Sequence, residues 1–147
     1  MKQVLMTCVT AFTVFSAASA QAQFAKVEDA VDYRQSVFTI MANHMGRLSA
    51  MVRGQVAFDA AKAQESARLI EQMAKMPWEA FPIGSNIAMS KLKGDPWKDA
   101  AQFRQHQDKL IAETAKLVPA AASVDSLRAQ IGAVGASCKA CHDSFRQ

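Results

Sequence analysis

Glycine and proline are scarce in this sequence: its 147 residues include six Gly and four Pro. A sandwich or barrel of short strands needs turn residues about every 8–12 positions, so this scarcity argues against an all-β fold. Six glycines also leave no room for a repeated glycine fingerprint of nucleotide binding. Three cysteines exclude a disulfide scaffold. The net charge of +4 comes without a Lys/Arg run or a basic stripe with interleaved aromatics, so nucleic acid is not an expected partner.

The first 22 residues have the pattern of a secretory signal peptide. Lys2 gives a positive start, and an apolar run and then small residues follow. The run is shorter than the about 20 apolar residues that span a bilayer, and no stop-transfer pattern comes after it. Export is therefore favoured over a membrane anchor. Cleavage is expected after Ala20 or Ala22, and we take Ala22, which leaves a mature domain of residues 23–147. This domain is not expected to insert into a membrane, and it is expected in an oxidising compartment.

The rest of the chain shows helical periodicity, with half of all residues hydrophobic. We expect an all-α fold, an antiparallel up-down-up-down four-helix bundle, with a looser helical array as the alternative. A long connection, 77–94, separates the second and third helices. The expected boundaries are Gly54 at the end of the first helix, Asp59 and Pro77 around the second, Asp95-Pro96 and Pro119 around the third, and Ser123 or Asp125 at the start of the fourth.

The inward-facing side of each helix follows from positions spaced three and four apart. His44 breaks this spacing in the first helix and is expected to face solvent. The expected core positions are Val27, Val31, Arg34, Phe38, Met41, Met45, Leu48 and Val52, then Ala63, Ala67, Ile70 and Met73, then Phe103, Leu110, Thr114 and Leu117, and finally Leu127, Ile131, Val134, Cys138, Cys141 and Phe145.

The last ten residues contain Cys138, Cys141 and His142 in a Cys-x-x-Cys-His motif, the attachment signature of c-type haem. Residues three or four apart share a helix face, so both thiols reach the two vinyl groups at one edge of a porphyrin. His142 follows directly, and its imidazole is a good axial ligand for haem iron. One covalently bound haem c is the expected cofactor.

Three other uses of paired cysteines compete with haem. A thiol–disulfide site expects a βαβ context that this chain lacks. A structural zinc site needs four ligands, and the remaining histidines, His44 and His106, lie on other helices without a paired cysteine. A disulfide between Cys138 and Cys141 is geometrically tight.

Arg34 occupies an inward-facing position, where an unpaired charge is costly. A haem propionate would give its guanidinium a carboxylate partner. The alternative is an Arg34 side chain that reaches solvent at the end of the bundle. Arg146 lies one turn beyond His142 and is expected on the proximal side of the ring, with a frayed C-terminus as its alternative.

Phe38 lies one turn after Arg34 and is expected near the open face of the iron. Because phenylalanine cannot bind iron, the metal is expected to be five-coordinate, with an apolar distal face that lacks a hydrogen-bond donor. Met41, Met45 and His44 are the rival sixth ligands, and any of them would make a low-spin electron carrier.

With these residues the sequence resembles the cytochrome c′ family, the high-spin class II of bacterial c-type cytochromes. The resemblance covers nearly all of residues 23–147. It is carried by Gln23-Phe24-Ala25-Lys26, Tyr33-Arg34-Gln35, Pro77-Trp78 and Gly135-Ala136-Ser137-Cys138-Lys139-Ala140-Cys141-His142-Asp143.

The resemblance implies a periplasmic homodimer built on the first two helices, with five-coordinate haem that binds NO and CO. It implies that Arg34 meets a propionate, that Gln35 lies beside the haem and that Arg146 lies near His142. Trp78 is a further expected pocket neighbour. The family often has Leu where this chain has Phe38, and the loop Ile83 to Gly94 matches poorly, so no contact is carried over from it.

The expected function is therefore NO and CO binding with one-electron transfer to an unidentified redox partner, without enzymatic turnover. The alternative is a low-spin, Met-ligated class II electron-transfer cytochrome of the c556 type. A peroxidase or nitrite reductase is disfavoured, because the sequence indicates no distal His or Arg for such chemistry. A helical metal- or thiol-binding module without haem is the remaining class.

Overall fold

The computed structural model describes residues 23–147, so the expected signal peptide lies outside the described residues. Four helices follow one another along the chain, and each packs against its two neighbours in a closed ring. The helices are α1 (Val27–Val52), α2 (Ala60–Met73), α3 (Ala100–Ala120) and α4 (Val124–Phe145). No strand occurs among these 125 residues, and the expected antiparallel four-helix bundle is confirmed.

Side-chain caps and proline determine several of the helix ends. Asp59 accepts a hydrogen bond from the backbone N–H of Lys62 (3.1 Å) at the start of α2. Ser123 caps α4 in the same way. Pro77 begins a short 3₁₀ turn, Pro77–Ala80, four residues after the end of α2.

The expected start of α3 at Asp95-Pro96 is wrong. Asp95 Oδ1 accepts hydrogen bonds from the backbone N–H groups of Trp97 and Lys98, each at 3.0 Å, and so caps a separate turn. The backbone of Asp99 then leaves the helical region (φ −94°, ψ 38°), and α3 begins at Ala100. Pro119 lies in the last turn, and the helix ends one residue later at Ala120.

The expected core is largely confirmed. Val31, Leu48, Ile70, Leu117 and Val134 are completely buried. Other expected core positions that are buried are Arg34, Met41, Ala63, Ala67, Leu110, Thr114, Leu127 and Phe145, and those partly buried against the core are Phe38, Met45, Val52, Met73, Ile131 and Cys138. The bundle interior is thus set by the helical spacing of the sequence.

His44 does not face solvent as expected. It is half-buried, and its Nδ1 lies 3.2 Å from Ser66 Oγ on α2. Helix α1 has two helical neighbours, α2 and α4, so the face that it buries is wider than one stripe of apolar residues. Burial lowers the pKa of His44, and the nearby charge of Arg47 lowers it further.

The connection between α2 and α3 is joined to the C-terminus by backbone pairing. Leu92 forms an antiparallel bridge with Arg146, and the backbone N–H of Gln147 donates to Lys91 O at 3.0 Å. Gly94 has φ +68°, and a Cβ there would lie 3.2 Å from Ser144 O. Glycine is required at this position, where the connection closes one end of the bundle.

Within residues 23–147, none of the helices combines the length and the hydropathy needed to cross a bilayer.

Candidate functional site

A cavity of about 480 Å³ opens at the end of the bundle where the connection meets the C-terminus. Its walls come from α1, α3, α4 and the 77–94 connection. Cavities of this size hold small-molecule ligands and cofactors in other proteins.

One wall carries the Cys-x-x-Cys-His motif. Cys138, Cys141 and His142 of α4 all line the cavity, and both thiols are free. Burial raises the pKa of Cys138, and burial together with the charge of Cys138 raises that of Cys141 to about 11. Redox-active Cys-x-x-Cys sites have lowered thiol pKa values, so these thiols do not have the electrostatics of a thiol–disulfide enzyme.

His142 is held in its neutral form. Burial lowers its pKa, and the nearby Arg146 guanidinium lowers it further, while Asp143 acts in the opposite direction. Neutral imidazole is the form that binds metals. Within residues 23–147, no group of three or more His, Cys, Asp or Glu side chains forms a conventional metal site.

Helix α1 supplies another wall, with Gln35, Phe38, Met41 and Met45 lining the cavity. The Phe38 ring meets Trp78 edge-on, with ring centroids 6.1 Å apart. Gln35 Nε2 donates a 2.6 Å hydrogen bond to Met89 O in the connection. Both expected rival methionines thus border the same space as Phe38.

Arg34 lies at the cavity with 2% of its surface exposed. Its side chain does not reach solvent, and its partners are in the connection: Nη1 donates to Ala80 O and Ser85 Oγ, both at 2.7 Å, and Nη2 donates to Ser85 O at 2.8 Å. The guanidinium carbon also lies 4.3 Å from the centroid of the Phe81 ring. Three of the five N–H groups of a guanidinium are used in this way, so two remain for other acceptors. Burial lowers the pKa of Arg34 to about 10, which keeps it charged at neutral pH.

The inner surface of the cavity is aromatic. Ring contacts run from Phe81 to Phe103 (4.9 Å) and from Phe103 to Phe145 (5.2 Å), and Trp78 contacts both Phe81 and Phe103. Charged species entering this surface would lose hydration without replacement.

Arg146 stands at the rim of the cavity with its side chain exposed. Its backbone N–H donates to His142 O at 3.0 Å, and the bridge to Leu92 holds the backbone in an extended conformation. The expected alternative of a frayed C-terminus is therefore wrong for Arg146, because the connection supplies hydrogen-bond partners on both sides of it.

The family model described as Cytochrome C' matches residues 29–146. The chain is 44% identical over 127 residues to a cytochrome c′ of Alcaligenes xylosoxydans xylosoxydans, a match that covers 85% of this chain and 98% of the relative. It is 41% identical over 128 residues to a cytochrome c′ of Rubrivivax gelatinosus, covering 85% and 99%.

This chain belongs to the cytochrome c′ family.

Solved structures of cytochromes c′ share its fold. The cytochrome c′ crystal structure from Rubrivivax gelatinosus matches with a TM-score of 0.80 and 40% identity, covering 85% of this chain and 100% of that one. A ferrous variant of the Alcaligenes xylosoxidans cytochrome c′ with bound NO matches with a TM-score of 0.79 and 42% identity, covering 85% and 100%. A variant of the same protein with bound carbon monoxide matches with a TM-score of 0.79 and 43% identity, covering 85% and 99%.

The cavity of this cytochrome c′ family member fits a haem group. Two thiols and a neutral imidazole line one wall, the inner surface is aromatic, and Arg34 keeps two N–H groups for a carboxylate. A buried nitrogen, His106 Nε2, has no hydrogen-bond partner among the described residues and also lies at this cavity. Each of these features suits a large apolar ligand that carries its own polar groups.

His106 is not among the residues that the sequence assigns to this site, although His106 of α3 lines the cavity of this cytochrome c′ family member. The available signal was its spacing: His106 lies three residues after Phe103 and four before Leu110, which were both assigned to the core.

Proposed function

We propose that this chain is a periplasmic c-type cytochrome with one covalently bound, five-coordinate, high-spin haem. It binds NO and CO at its distal face, exchanges single electrons with a redox partner and does not act as an enzyme. The observation that carries the proposal is that Cys138, Cys141 and His142 line the same cavity as Phe38.

The thiols of Cys138 and Cys141 are the attachment points for the haem. Each S–H would add across one vinyl double bond of the haem, with sulfur bonding to one carbon and hydrogen going to the other, so that no oxidant would be needed. The raised pKa values of Cys138 and Cys141 keep both sulfurs protonated before this step. Their positions three residues apart on α4 put both sulfurs on one face of the helix, which supports attachment at one edge of the ring.

The remaining residues bind and orient the group. His142 binds the metal through its neutral imidazole, and Arg146 lies beside it on the proximal side. Arg34 donates its two remaining N–H groups to a propionate, and Gln35 and Trp78 contact the ring. Phe38 covers the distal face and offers no ligand atom.

Haem, when bound here, supplies an iron atom that takes up diatomic ligands and changes oxidation state by one electron. The aromatic inner surface admits neutral diatomics and disfavours anions such as cyanide or azide, because aromatic rings do not replace the hydration that an anion loses. The cytochrome c′ structures with bound NO and with bound carbon monoxide support this assignment.

The test is an absorption spectrum of ferric and ferrous protein, with and without NO and CO, next to the mass of the denatured chain. We expect a retained haem mass, a high-spin ferric spectrum with a band beyond roughly 600 nm, and uptake of both gases by the ferrous form. The Cys138→Ser/Cys141→Ser variant provides the control and should lose the added mass. A colourless wild-type protein from a host competent in haem attachment would refute the proposal.

A low-spin, Met-ligated cytochrome is the second candidate, because Met41 and Met45 line the cavity. It predicts sharp low-spin bands in both oxidation states and no CO uptake. Met41→Leu and Met45→Leu variants then identify the ligand, since loss of the sulfur would convert the spectrum to high-spin.

Export and dimerisation complete the proposal. The mature protein is expected to begin after Ala22 or Ala20, which its intact mass in a periplasmic extract would show. A homodimer formed through α1 and α2 agrees with the exposed Ile40 on α1 and Val56 after it. Light scattering of the purified protein tests this state, and a monomer at all concentrations would exclude it.

A further inference from the structure

His106 Nε2 is a buried polar atom without a hydrogen-bond partner among the described residues. Buried nitrogen atoms in native proteins nearly always have a partner, and one without it calls for an explanation. Leaving such an atom unpaired costs about 1–3 kcal/mol. The residue with this unpaired nitrogen lines the functional cavity and does not lie at a remote position.

The ring of His106 lies at the wall of the site. It meets the Phe145 ring edge-on, with centroids 6.0 Å apart and an interplanar angle of 80°. Phe103 and Leu110, on the same face of α3, line the same cavity. His106 is therefore part of the aromatic inner surface and supplies it with a nitrogen atom.

The other polar side chains at this cavity already have partners or lie at its rim. Arg34 donates three hydrogen bonds to the connection, and Gln35 donates to Met89 O. The charged Lys91 and Arg146 are exposed. His106 differs from all of them, because its unused nitrogen is buried.

We propose that His106 Nε2 donates a hydrogen bond to an oxygen atom of what occupies the cavity. The donor in this hydrogen bond is the N–H group that an imidazole carries in the tautomer with its proton on Nε2. The acceptor is either a haem carboxylate or the oxygen of a bound diatomic ligand. This inference rests on the proposed function, and it adds one specific polar contact to the aromatic surface of the cavity.

The experiment uses the haem-loaded full chain with two substitutions. His106→Leu removes the donor, and His106→Gln keeps an N–H group on a side chain of similar length. Gln107→Leu is the matched control, because Gln107 is the next residue on α3 and does not line this cavity. The readouts are the infrared C–O stretch of the ferrous CO complex and the midpoint reduction potential.

The two acceptors give different results. A bond to the diatomic ligand predicts that the C–O stretch rises in His106→Leu while the potential is unchanged. A bond to a carboxylate predicts that the potential becomes more negative in His106→Leu while the C–O stretch is unchanged. In either case His106→Gln is expected to return toward the wild-type value, and Gln107→Leu to match it.

Three results would overturn the inference. In the first, His106→Leu matches the wild type in both readouts. In the second, His106→Gln behaves like His106→Leu in a folded protein, which would indicate a packing role alone. In the third, the wild type is low-spin and His106→Leu is high-spin, which would make His106 an iron ligand. All three require normal haem content. Failure of the proposed function is distinct, since the wild-type protein would then carry no haem.

Discussion

Arg34 Nη1 donates a 2.7 Å hydrogen bond to Ser85 Oγ, a residue 51 positions further along the chain. Ser85 is completely buried, as is nearly all of Arg34. The contact joins α1 to the connection between α2 and α3. Arg34 therefore stabilises the connection between α2 and α3 and also lines the cavity.

The first prediction concerns the stability that Arg34 provides. Arg34→Met should lower the free energy of unfolding by about 3 kcal/mol, because Ala80 O, Ser85 O and Ser85 Oγ lose a buried donor. Arg34→Lys should recover part of this loss, because an ammonium group donates but lacks the planar fork of guanidinium. Urea denaturation at neutral pH measures both changes.

Arg104→Met is the matched control for this series. Arg104 lies on α3 with its side chain exposed, so its substitution should change stability by less than about 0.5 kcal/mol. Equal stability of Arg34→Met and Arg104→Met would contradict the structural role assigned to Arg34.

The sequence predicted the parts of the molecule that depend on local spacing. The Cys-x-x-Cys-His motif and the three-and-four repeat identified α4 and its inward face, because both are properties of a single helix. It did not predict the partners of Arg34. Those partners are two backbone carbonyls and a serine hydroxyl in an irregular segment, and nothing in the local sequence of that segment indicates that it folds back onto α1.

The misplaced start of α3 and the missed His106 have related causes. Asp95-Pro96 is a helix-opening signal, but the same aspartate also caps an isolated turn, and local sequence does not separate the two. His106 was judged by residue type rather than by its position between Phe103 and Leu110. Its role depends on α4, which brings Phe145 against it.

The second prediction is a pH dependence that arises from Glu113. Lys109 and Lys116 form ion pairs with this buried carboxylate, and Gln130 donates a hydrogen bond to it. These contacts lower the pKa of Glu113 to about 2. The unfolded chain binds the proton near pH 4.5, well above the folded value. The stabilisation is therefore complete above pH 4.5 and is lost as the pH falls toward 2.

Glu113→Gln should remove this part of the acid sensitivity. The difference in free energy of unfolding between wild type and Glu113→Gln is expected to shrink steadily from pH 4.5 to pH 2 in a urea titration. Asp125→Asn serves as the control, because Asp125 is an exposed partner of Arg128 at the start of α4. A difference that stays constant across this range would refute the assignment.

The third prediction concerns the backbone of Lys91. This residue lines the cavity with a left-handed backbone, φ 54° and ψ 18°. Left-handed conformations cost a non-glycine residue about 1–2 kcal/mol, and glycine adopts them freely. Lys91→Gly should therefore raise the free energy of unfolding by about 1 kcal/mol, as measured by chemical denaturation.

Lys93→Gly controls for the loss of one positive charge from the same loop. Lys93 does not have a positive φ, so glycine there only increases the freedom of the unfolded chain and should lower stability. If both variants changed stability in the same direction, strain at Lys91 would not be the cause.

The fourth prediction tests Phe38 as the residue that controls access to the distal face. The ring is fixed by its edge-on contact with Trp78 at 6.1 Å and borders the cavity together with Met41 and Met45. Phe38→Ala removes the ring and should raise the rate of CO association with the ferrous protein about tenfold or more, equivalent to about 1.4 kcal/mol of barrier. The CO association rate of Phe38→Leu should lie between those of the wild type and Phe38→Ala. Flash photolysis gives the rates, and Ile40→Ala, an exposed position on the same helix, should match the wild type. Unchanged association in a haem-loaded Phe38→Ala protein would mean that the ring does not obstruct the ligand, and another part of the aromatic surface would then have to control entry.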